Sequence, residues 1–247
     1  MEDITVILNG YRRPEYLSEQ VKAIRDQSVT PHEIWLWKNN CEWESNEEVD
    51  VIVDSSRNFK YHGRFALGLL AQTKYVAFFD DDTIPGKDWF KNCLNLIKQK
   101  GKCIVGGAGC ILKSQAYVNH IRAGWPVPSE NITEVDLVGH AWLMPREVLN
   151  EVWKEVPPTY ENGEDIQLSF QAYINSGIKS YCPPHPNDNK ELWSSLKAWE
   201  YGNDNKASSN GSLKSIPQFY QERDKIIAYY LGKGYRPVIT REINERV

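Results

Sequence analysis

Long apolar runs are missing from this 247-residue sequence. No stretch approaches the roughly 20 consecutive apolar residues that a membrane-spanning helix needs. The first ten residues, MEDITVILNG, contain two acids and pass directly into a strand-like run, which is not the pattern of a signal peptide. The sequence therefore predicts a cytoplasmic protein with no transmembrane segment.

Cysteine is scarce, and basic residues are not in excess. The five cysteines form no C-x-x-C pair, which disfavours a zinc site, and their odd number disfavours a disulfide framework. Lys and Arg number 29 against 33 Asp and Glu, so the formal net charge is −4. This balance predicts no nucleic-acid-binding role, and a phosphate-bearing ligand would need a metal ion or a few local basic residues.

Several common enzyme fingerprints are also missing. The GGAG segment at 106–109 lacks the third glycine and the helix context of a dinucleotide-binding loop. No P-loop, H-E-x-x-H or G-x-S-x-G pattern occurs. Enzyme classes that depend on those motifs are therefore disfavoured.

Short apolar strands alternate with amphipathic helices. Strand-like runs occupy 4–8, 33–37, 49–54, 75–79, 102–107 and 135–144, and helical patterns follow Pro14 and occupy 64–73, 89–97, 145–153, 164–177 and 217–231. This alternation predicts an α/β fold with a mostly parallel sheet covered by helices. The polar, turn-rich stretch at 183–212 is typical of a loop.

Three adjacent carboxylates follow the apolar run at 75–79, in the segment YVAFFDDDTIPG. Asp80, Asp81 and Asp82 must repel one another unless water, hydrogen-bond donors or a cation neutralise them. Open α/β sheets bind ligands at the carboxyl ends of their strands, and Mg²⁺ or Mn²⁺ prefers carboxylate oxygens. The segment therefore indicates a metal site, with an acidic turn before Pro85 and Gly86 as the alternative.

Four segments, in this order, resemble the landmarks of a known family. They are ITVILNGYRRPEYL at 4–17, FFDDDTIPGKDWF at 78–90, VDLVGHAWLMPREVL at 135–149 and GEDIQLSFQAYINSGIKSYCPP at 163–184. Together they are similar to GT-A-fold glycosyltransferases, in particular to the family-2-like group that uses nucleotide-diphosphate sugars. The resemblance covers about residues 3 to 186.

This resemblance implies a GT-A, Rossmann-like fold with a mixed, mostly parallel sheet in one domain spanning 1–247. The nucleotide-binding half is expected at 1–100, the acceptor and catalytic half at 101–215, and a C-terminal helix and tail at 216–247. In this family the triple-aspartate strand end carries the D-x-D motif. The resemblance therefore implies Asp80 and Asp82 for the metal and diphosphate, and Asp81 beside the ribose.

The resemblance also implies residues that contact the nucleotide. The end of the first strand packs on the nucleobase in this family, which points to Asn9 and Tyr11, and Arg64 resembles a basic residue near the nucleotide. The second strand often ends in paired acids in such enzymes, whereas here it ends in WLWKNN. Asn39 is the residue expected to hydrogen-bond the base there, and the departure leaves the identity of the base open.

The family's general base corresponds to Asp165, and a third metal ligand from a downstream loop corresponds to His185. Proton abstraction needs a carboxylate that can approach the acceptor hydroxyl. The alternative for Glu164 and Asp165 is that acids at a helix start are favoured by the helix dipole. His185 is alternatively a plain surface residue, and His140 is interpreted as a satisfied, half-buried histidine.

Taken together, these features predict a metal-dependent glycosyltransferase, inverting, that uses Mn²⁺ or Mg²⁺. The expected donor is a UDP- or GDP-type sugar, and the expected acceptor is a saccharide or another hydroxyl compound. The 183–212 loop is expected to fold over the donor. A sugar-nucleotide nucleotidyltransferase and a non-catalytic nucleotide-sugar-binding module are the alternatives.

Overall fold

The computed structural model describes residues 3–45, 48–201 and 215–244. The described strands form one mixed sheet in the order β3-β2-β1-β4-β8-β5-β9-β7, and β6 pairs with β5. Their bounds are β1 Ile4–Gly10, β2 Glu33–Asn39, β3 Val51–Ser55, β4 Tyr75–Phe79, β5 Ile104–Ile111, β6 Ile121–Gly124, β7 Thr133–Val135, β8 Leu137–Pro145 and β9 Ser180–Cys182.

Helices cover both faces of this sheet. Their bounds are α1 Leu17–Arg25, α2 Gly63–Gly68, α3 Trp89–Lys100, α4 Leu149–Val152, α5 Glu164–Ser176, α6 Ala198–Tyr201, α7 Ser215–Gly232 and α8 Val238–Asn244. Short 3₁₀ turns occur at Pro14–Tyr16, Tyr117–Asn119, Arg146–Val148 and Lys190–Leu192. None of the described helices is both long enough and apolar enough to cross a bilayer.

Strand direction decides which residues share an edge of the sheet. β1, β2, β3 and β4 run parallel, so their carboxyl ends lie along the same edge. β8 runs antiparallel beside β4, with Phe79 opposite Ala141, and therefore its first residues lie at that edge too. The backbone N–H of Asp80 donates to the carbonyl of His140 at 3.0 Å, which continues the pairing one residue further.

Two apolar layers form because successive strand residues point to opposite faces. Ile4, Val6 and Leu8 of β1 pack with α1 and α3, whereas Ile7 of β1 packs with α2, α4 and α5. A third cluster joins α5 to α7, and it includes Phe170. These layers fix the strand ends at the carboxyl edge, where residues of α2, α5 and α7 also lie.

The predicted α/β fold with a mostly parallel mixed sheet is confirmed, and the elements differ from the sequence expectation mainly in length. The helix expected at 64–73 ends at Gly68, and the one expected at 145–153 is a 3₁₀ turn followed by α4. β6, β7 and β9 were not predicted, because three- or four-residue strands carry too little periodicity to recognise. The short helices α6 and α8 were not predicted either. Of the 183–212 loop, residues 202–212 lie outside the described part of the chain.

A test of this packing uses Gly63, the first residue of α2. A Cβ atom there would lie 2.1 Å from the Trp37 ring, whose Nε1 is bonded to Ser55 Oγ at 3.1 Å. We expect Gly63→Ala to lower the free energy of unfolding by about 1–3 kcal/mol, because the ring cannot move away without breaking that bond. Urea unfolding measures the effect. Gly232→Ala, where nothing lies within 4 Å, is the matched control and should be neutral or slightly stabilising.

Candidate active site

A cavity of about 570 Å³ opens at the carboxyl edge of the sheet. Eight of the nine site residues predicted from the sequence line it: Asn9, Tyr11, Asn39, Arg64, Asp80, Asp81, Asp82 and Asp165. The ninth, His185, does not. Arg12, Arg13, Asn58, Lys60, Tyr117, His120, Arg122, His140, Trp142, Glu161, Asn162, Glu164, Phe219, Tyr220 and Arg223 also line the cavity.

Arg13 contacts two of the three adjacent aspartates. Its Nη2 pairs with Asp81 Oδ1 and lies 3.3 Å from Asp82 Oδ2. Its Nη1 donates to the carbonyl of Tyr201 at 3.0 Å. Burial raises the pKa of Asp81 and of Asp82 to about 6, and the guanidinium opposes that rise in both. Arg13 is therefore a counterion of the acidic cluster.

Arg64 connects the third aspartate to the opposite wall of the cavity. Its Nη1 donates to Asp80 Oδ1 at 2.6 Å, and its Nη2 donates to Glu164 Oε1 at 3.0 Å. The guanidinium lies 4.5 Å above the Trp142 ring. Burial alone would lower the pKa of Arg64, but the two carboxylates outweigh it and raise that pKa, so this side chain is a fixed positive charge.

Asp165 lies in the first turn of α5 beside Glu164. Its Oδ2 accepts from Arg223 Nη2 at 2.6 Å, and the same guanidinium donates to Asn162 Oδ1 at 3.2 Å. Arg223 comes from α7 and lies 4.1 Å from the centre of the Tyr117 ring. Burial, followed by the charge of Asp165, raises the pKa of Glu164 to about 7. The two neighbouring acids thus have different partners and different environments.

Asp80, Asp82 and His140 form the group that could hold a metal ion. Their ligating atoms all lie within 4.8 Å of one another. His140 Nδ1 is 3.9 Å from Asp82 Oδ1, and its ring stacks on Trp125 with centroids 4.6 Å apart. Burial lowers the pKa of His140 to about 4, so the imidazole is neutral and keeps a lone pair. Two carboxylates and a neutral imidazole are a donor set that suits Mn²⁺ or Mg²⁺.

His185 is not placed with the aspartates, which corrects the expectation of a ligand role from sequence. Its Nδ1–H donates to the Pro183 carbonyl at 2.9 Å, and its Nε2 lies 3.2 Å from Ser194 Oγ. The ring lies between Trp89 and Trp193 and is fully buried. Both ring nitrogens are therefore engaged within the protein, and the side chain anchors the segment after β9.

Asn39 also has a role different from the expected contact with a base. Its Nδ2 donates to Asn58 Oδ1 at 3.0 Å and to the Lys60 carbonyl at 3.1 Å. Its Oδ1 accepts from the Phe59 N–H at 2.8 Å. Because the amide is occupied in this way, Asn39 holds the 58–60 turn against the cavity.

The end of β1 offers groups that stay available. Asn9 Oδ1 is buried without a hydrogen-bond partner in the described ranges, although the residue lines the cavity. Tyr11 lines the cavity as well, and its backbone carbonyl accepts from Trp43 Nε1 at 3.1 Å. The guanidinium of Arg12 lies 4.8 Å from the centre of the Tyr11 ring.

Sequence reasoning missed Arg13 and Arg223. It expected His140 to be half-buried, as it is, but did not place it with Asp80 and Asp82. Arg13 stands directly before Pro14, at the start of a helical pattern, and that position was the only sequence feature that could have pointed to it. His140 follows VDLVG at a strand start, and only its antiparallel placement beside β4 brings it to Asp82. Arg223 had no local signal, because it reaches Asp165 across 58 residues of sequence.

Comparison with known proteins places these features in a family. The model of glycosyl transferase family 2 matches residues 5–153, which is more than half of the chain. The crystal structure of S. aureus TarS 1-349 superposes with a TM-score of 0.52 at 15% identity, covering 74% of this chain and 60% of that chain. TarS 1-349 in complex with UDP gives a TM-score of 0.53, with the same identity and coverage. A comparison with curated proteins gave no match.

The buried histidine gives a test by pH. Burial lowers the pKa of His185 to about 4 from an ordinary 6.5. Between those values the unfolded chain binds a proton that the folded chain does not, so this residue reduces stability as pH falls. The reduction reaches on the order of 3 kcal/mol near pH 4. We expect the free energies of unfolding of wild type and His185→Gln to converge as pH is lowered from 7 to 4.

Urea unfolding at several pH values measures this convergence. His32→Gln removes an exposed histidine and controls for the loss of a histidine as such. If the difference in free energy of unfolding between wild type and His185→Gln stays constant from pH 7 to 4, His185 is not a neutral, buried histidine.

Proposed function

The chain belongs to glycosyl transferase family 2, and we propose that it transfers a sugar from a nucleotide-diphosphate donor to an acceptor hydroxyl group. The proposal extends to a divalent cation as cofactor and to inversion at the anomeric carbon. The observation that carries it is the single cavity that holds three aspartates on one wall and Asp165 on another. The fold similarity to TarS, which was crystallised with UDP, supports a nucleoside-diphosphate donor.

For the donor, we assign the nucleobase to Asn9 and Tyr11, because Asn9 offers a buried, unused acceptor and Tyr11 a ring at the cavity wall. Asp81 is assigned to the ribose. Arg64 is assigned to the neighbourhood of the diphosphate. Asn39 contributes indirectly by holding the turn that carries Asn58 and Lys60. The base itself, uracil or guanine, is left to experiment.

Asp80, Asp82 and His140 would hold the cation. Such an ion neutralises the charge that develops on a departing diphosphate. Arg13 and Arg64 hold these carboxylates, and both arginines are nearly buried. The ligands are therefore oriented before an ion arrives.

Asp165 is proposed to accept the proton of the acceptor hydroxyl as that oxygen attacks the sugar. The Arg223 contact at Oδ2 orients the carboxylate. The wall next to it carries Tyr117, Phe219 and Tyr220, and these rings suit the apolar face of a saccharide acceptor. The acceptor is therefore proposed to lie between these rings and Asp165.

The first test concerns the cation and the donor. Wild-type protein is screened by thermal denaturation against UDP- and GDP-sugars with and without Mn²⁺. A ligand at about 100 times its dissociation constant adds roughly 2.7 kcal/mol of stability, so a donor should raise the melting temperature only when Mn²⁺ is present. Asp82→Asn should lose this Mn²⁺-dependent part because a ligand is gone.

Asp188→Asn removes an exposed carboxylate outside the cavity and is the matched control. Equal stabilisation of wild type and Asp82→Asn would rule out the assigned cation site.

The second test concerns the base. We expect Asp165→Asn to reduce transfer from the donor found above by about 10²–10⁴-fold, because an amide cannot accept the proton. Its affinity for the nucleotide should stay close to that of wild type. Glu164→Gln, in the same helical turn but bonded to Arg64, is the comparison and should retain more transfer activity than Asp165→Asn.

Released nucleoside diphosphate and transferred sugar are measured separately in this assay. Full transfer by Asp165→Asn would refute the base assignment. Nucleotide binding by wild type without any turnover would favour the non-catalytic alternative.

A further inference from the structure

Within the described part of the chain, three contacts fix the side chain of Arg13. It follows β1 and precedes the 3₁₀ turn that begins at Pro14, and its side chain reaches back to the acidic cluster. The residue is only 8% exposed. Asp81, Asp82 and the carbonyl of Tyr201 hold its guanidinium from different sides.

The two oxygens of Asp82 face different partners. Oδ2 faces the Arg13 guanidinium at 3.3 Å, whereas Oδ1 lies toward His140 Nδ1 at 3.9 Å. The second side is where the candidate metal ligands converge. A cation there and the Arg13 guanidinium would therefore share one carboxylate.

Two positive groups on one carboxylate repel each other, and burial strengthens that repulsion. A cation that enters alone thus meets an acidic cluster whose charge Arg13 already offsets in part. A diphosphate that enters with the cation brings negative charge to the same place and gives the guanidinium a second partner. Planar guanidinium groups bind phosphate oxygens well.

We propose that Arg13 makes cation binding conditional on the donor: it weakens binding of the cation alone and contacts the diphosphate when both are present. This inference rests on the proposed function of the same cavity. It predicts that cation and nucleoside diphosphate bind cooperatively, and that each raises the affinity for the other by the same factor.

The experiment measures binding, not turnover. Calorimetric titration with Mn²⁺ alone gives the cation affinity of wild type and Arg13→Gln. Titration with UDP and with GDP at saturating Mn²⁺ gives their nucleotide affinities. We expect Arg13→Gln to bind Mn²⁺ alone roughly five- to ten-fold more tightly, a typical size for a coupling between sites. The same variant should bind the nucleotide about ten-fold more weakly, because a charge-assisted hydrogen bond is lost.

Two controls separate this pair of effects from simpler causes. Arg12→Gln removes a positive charge one residue away. Arg12 lies over the Tyr11 ring and contacts no carboxylate among the described residues, so its loss should change Mn²⁺ affinity much less than Arg13→Gln does. Arg13→Lys keeps the charge and should resemble wild type with Mn²⁺ alone. Thermal denaturation establishes that each variant is folded.

The decisive result is that Arg13→Gln binds Mn²⁺ alone more tightly and the nucleotide more weakly than wild type. A variant that loses affinity for both ligands would show that Arg13 only orients Asp82, and the inference would be wrong. Unchanged affinities, or no Mn²⁺ binding by either protein, would also overturn it. If wild type binds Mn²⁺ but neither UDP nor GDP, the proposed function fails instead, and the Mn²⁺ arm still decides whether Arg13 opposes the cation.

Discussion

Crowded carboxylates at one edge of the sheet are the constraint on which the site depends. Six acids line the cavity, and each pairs with a positive side chain there: Asp81 and Asp82 with Arg13, Asp80 and Glu164 with Arg64, Asp165 with Arg223, and Glu161 with Lys60. Arg12 and Arg122 also line the cavity, so the lining has six positive side chains for its six acids. The formal charges of these groups therefore cancel. A divalent cation and a diphosphate of equal and opposite charge would preserve that balance only if both entered together.

The mixed sheet is what makes this arrangement possible. Parallel strands alone would place Asn9 and the three aspartates at the edge, since β1 and β4 end there. The antiparallel β8 adds its starting residues to the same edge, and so His140 comes to stand beside Asp82. The end of the parallel strand β4 supplies the carboxylates of the candidate donor set, and the antiparallel β8 supplies the neutral imidazole.

The sequence predicted the parts of the site that are local and missed the parts that depend on pairing across the fold. An apolar strand followed by Asp80, Asp81 and Asp82 is visible in one short segment, and so is Asp165 at a helix start. His185 was preferred to His140 because its position after β9 matched a pattern, whereas burial between two indole rings cannot be read from sequence. Asn39 has the right place at a strand end, but its amide is used by a turn about 20 residues later.

Arg64 gives a physical reason why the proposed donor and acceptor sides of the cavity would not be independent. One buried guanidinium holds Asp80, a candidate metal ligand, and Glu164, the neighbour of Asp165 in the first turn of α5. An ion bound by Asp80 would offset the charge of that carboxylate and leave Glu164 as the main anionic partner of the Arg64 guanidinium. A Glu164 held in this way would fix the start of α5, and with it the position of Asp165. Occupation of the donor side would in this way order the acceptor side through a single side chain, without movement of the sheet.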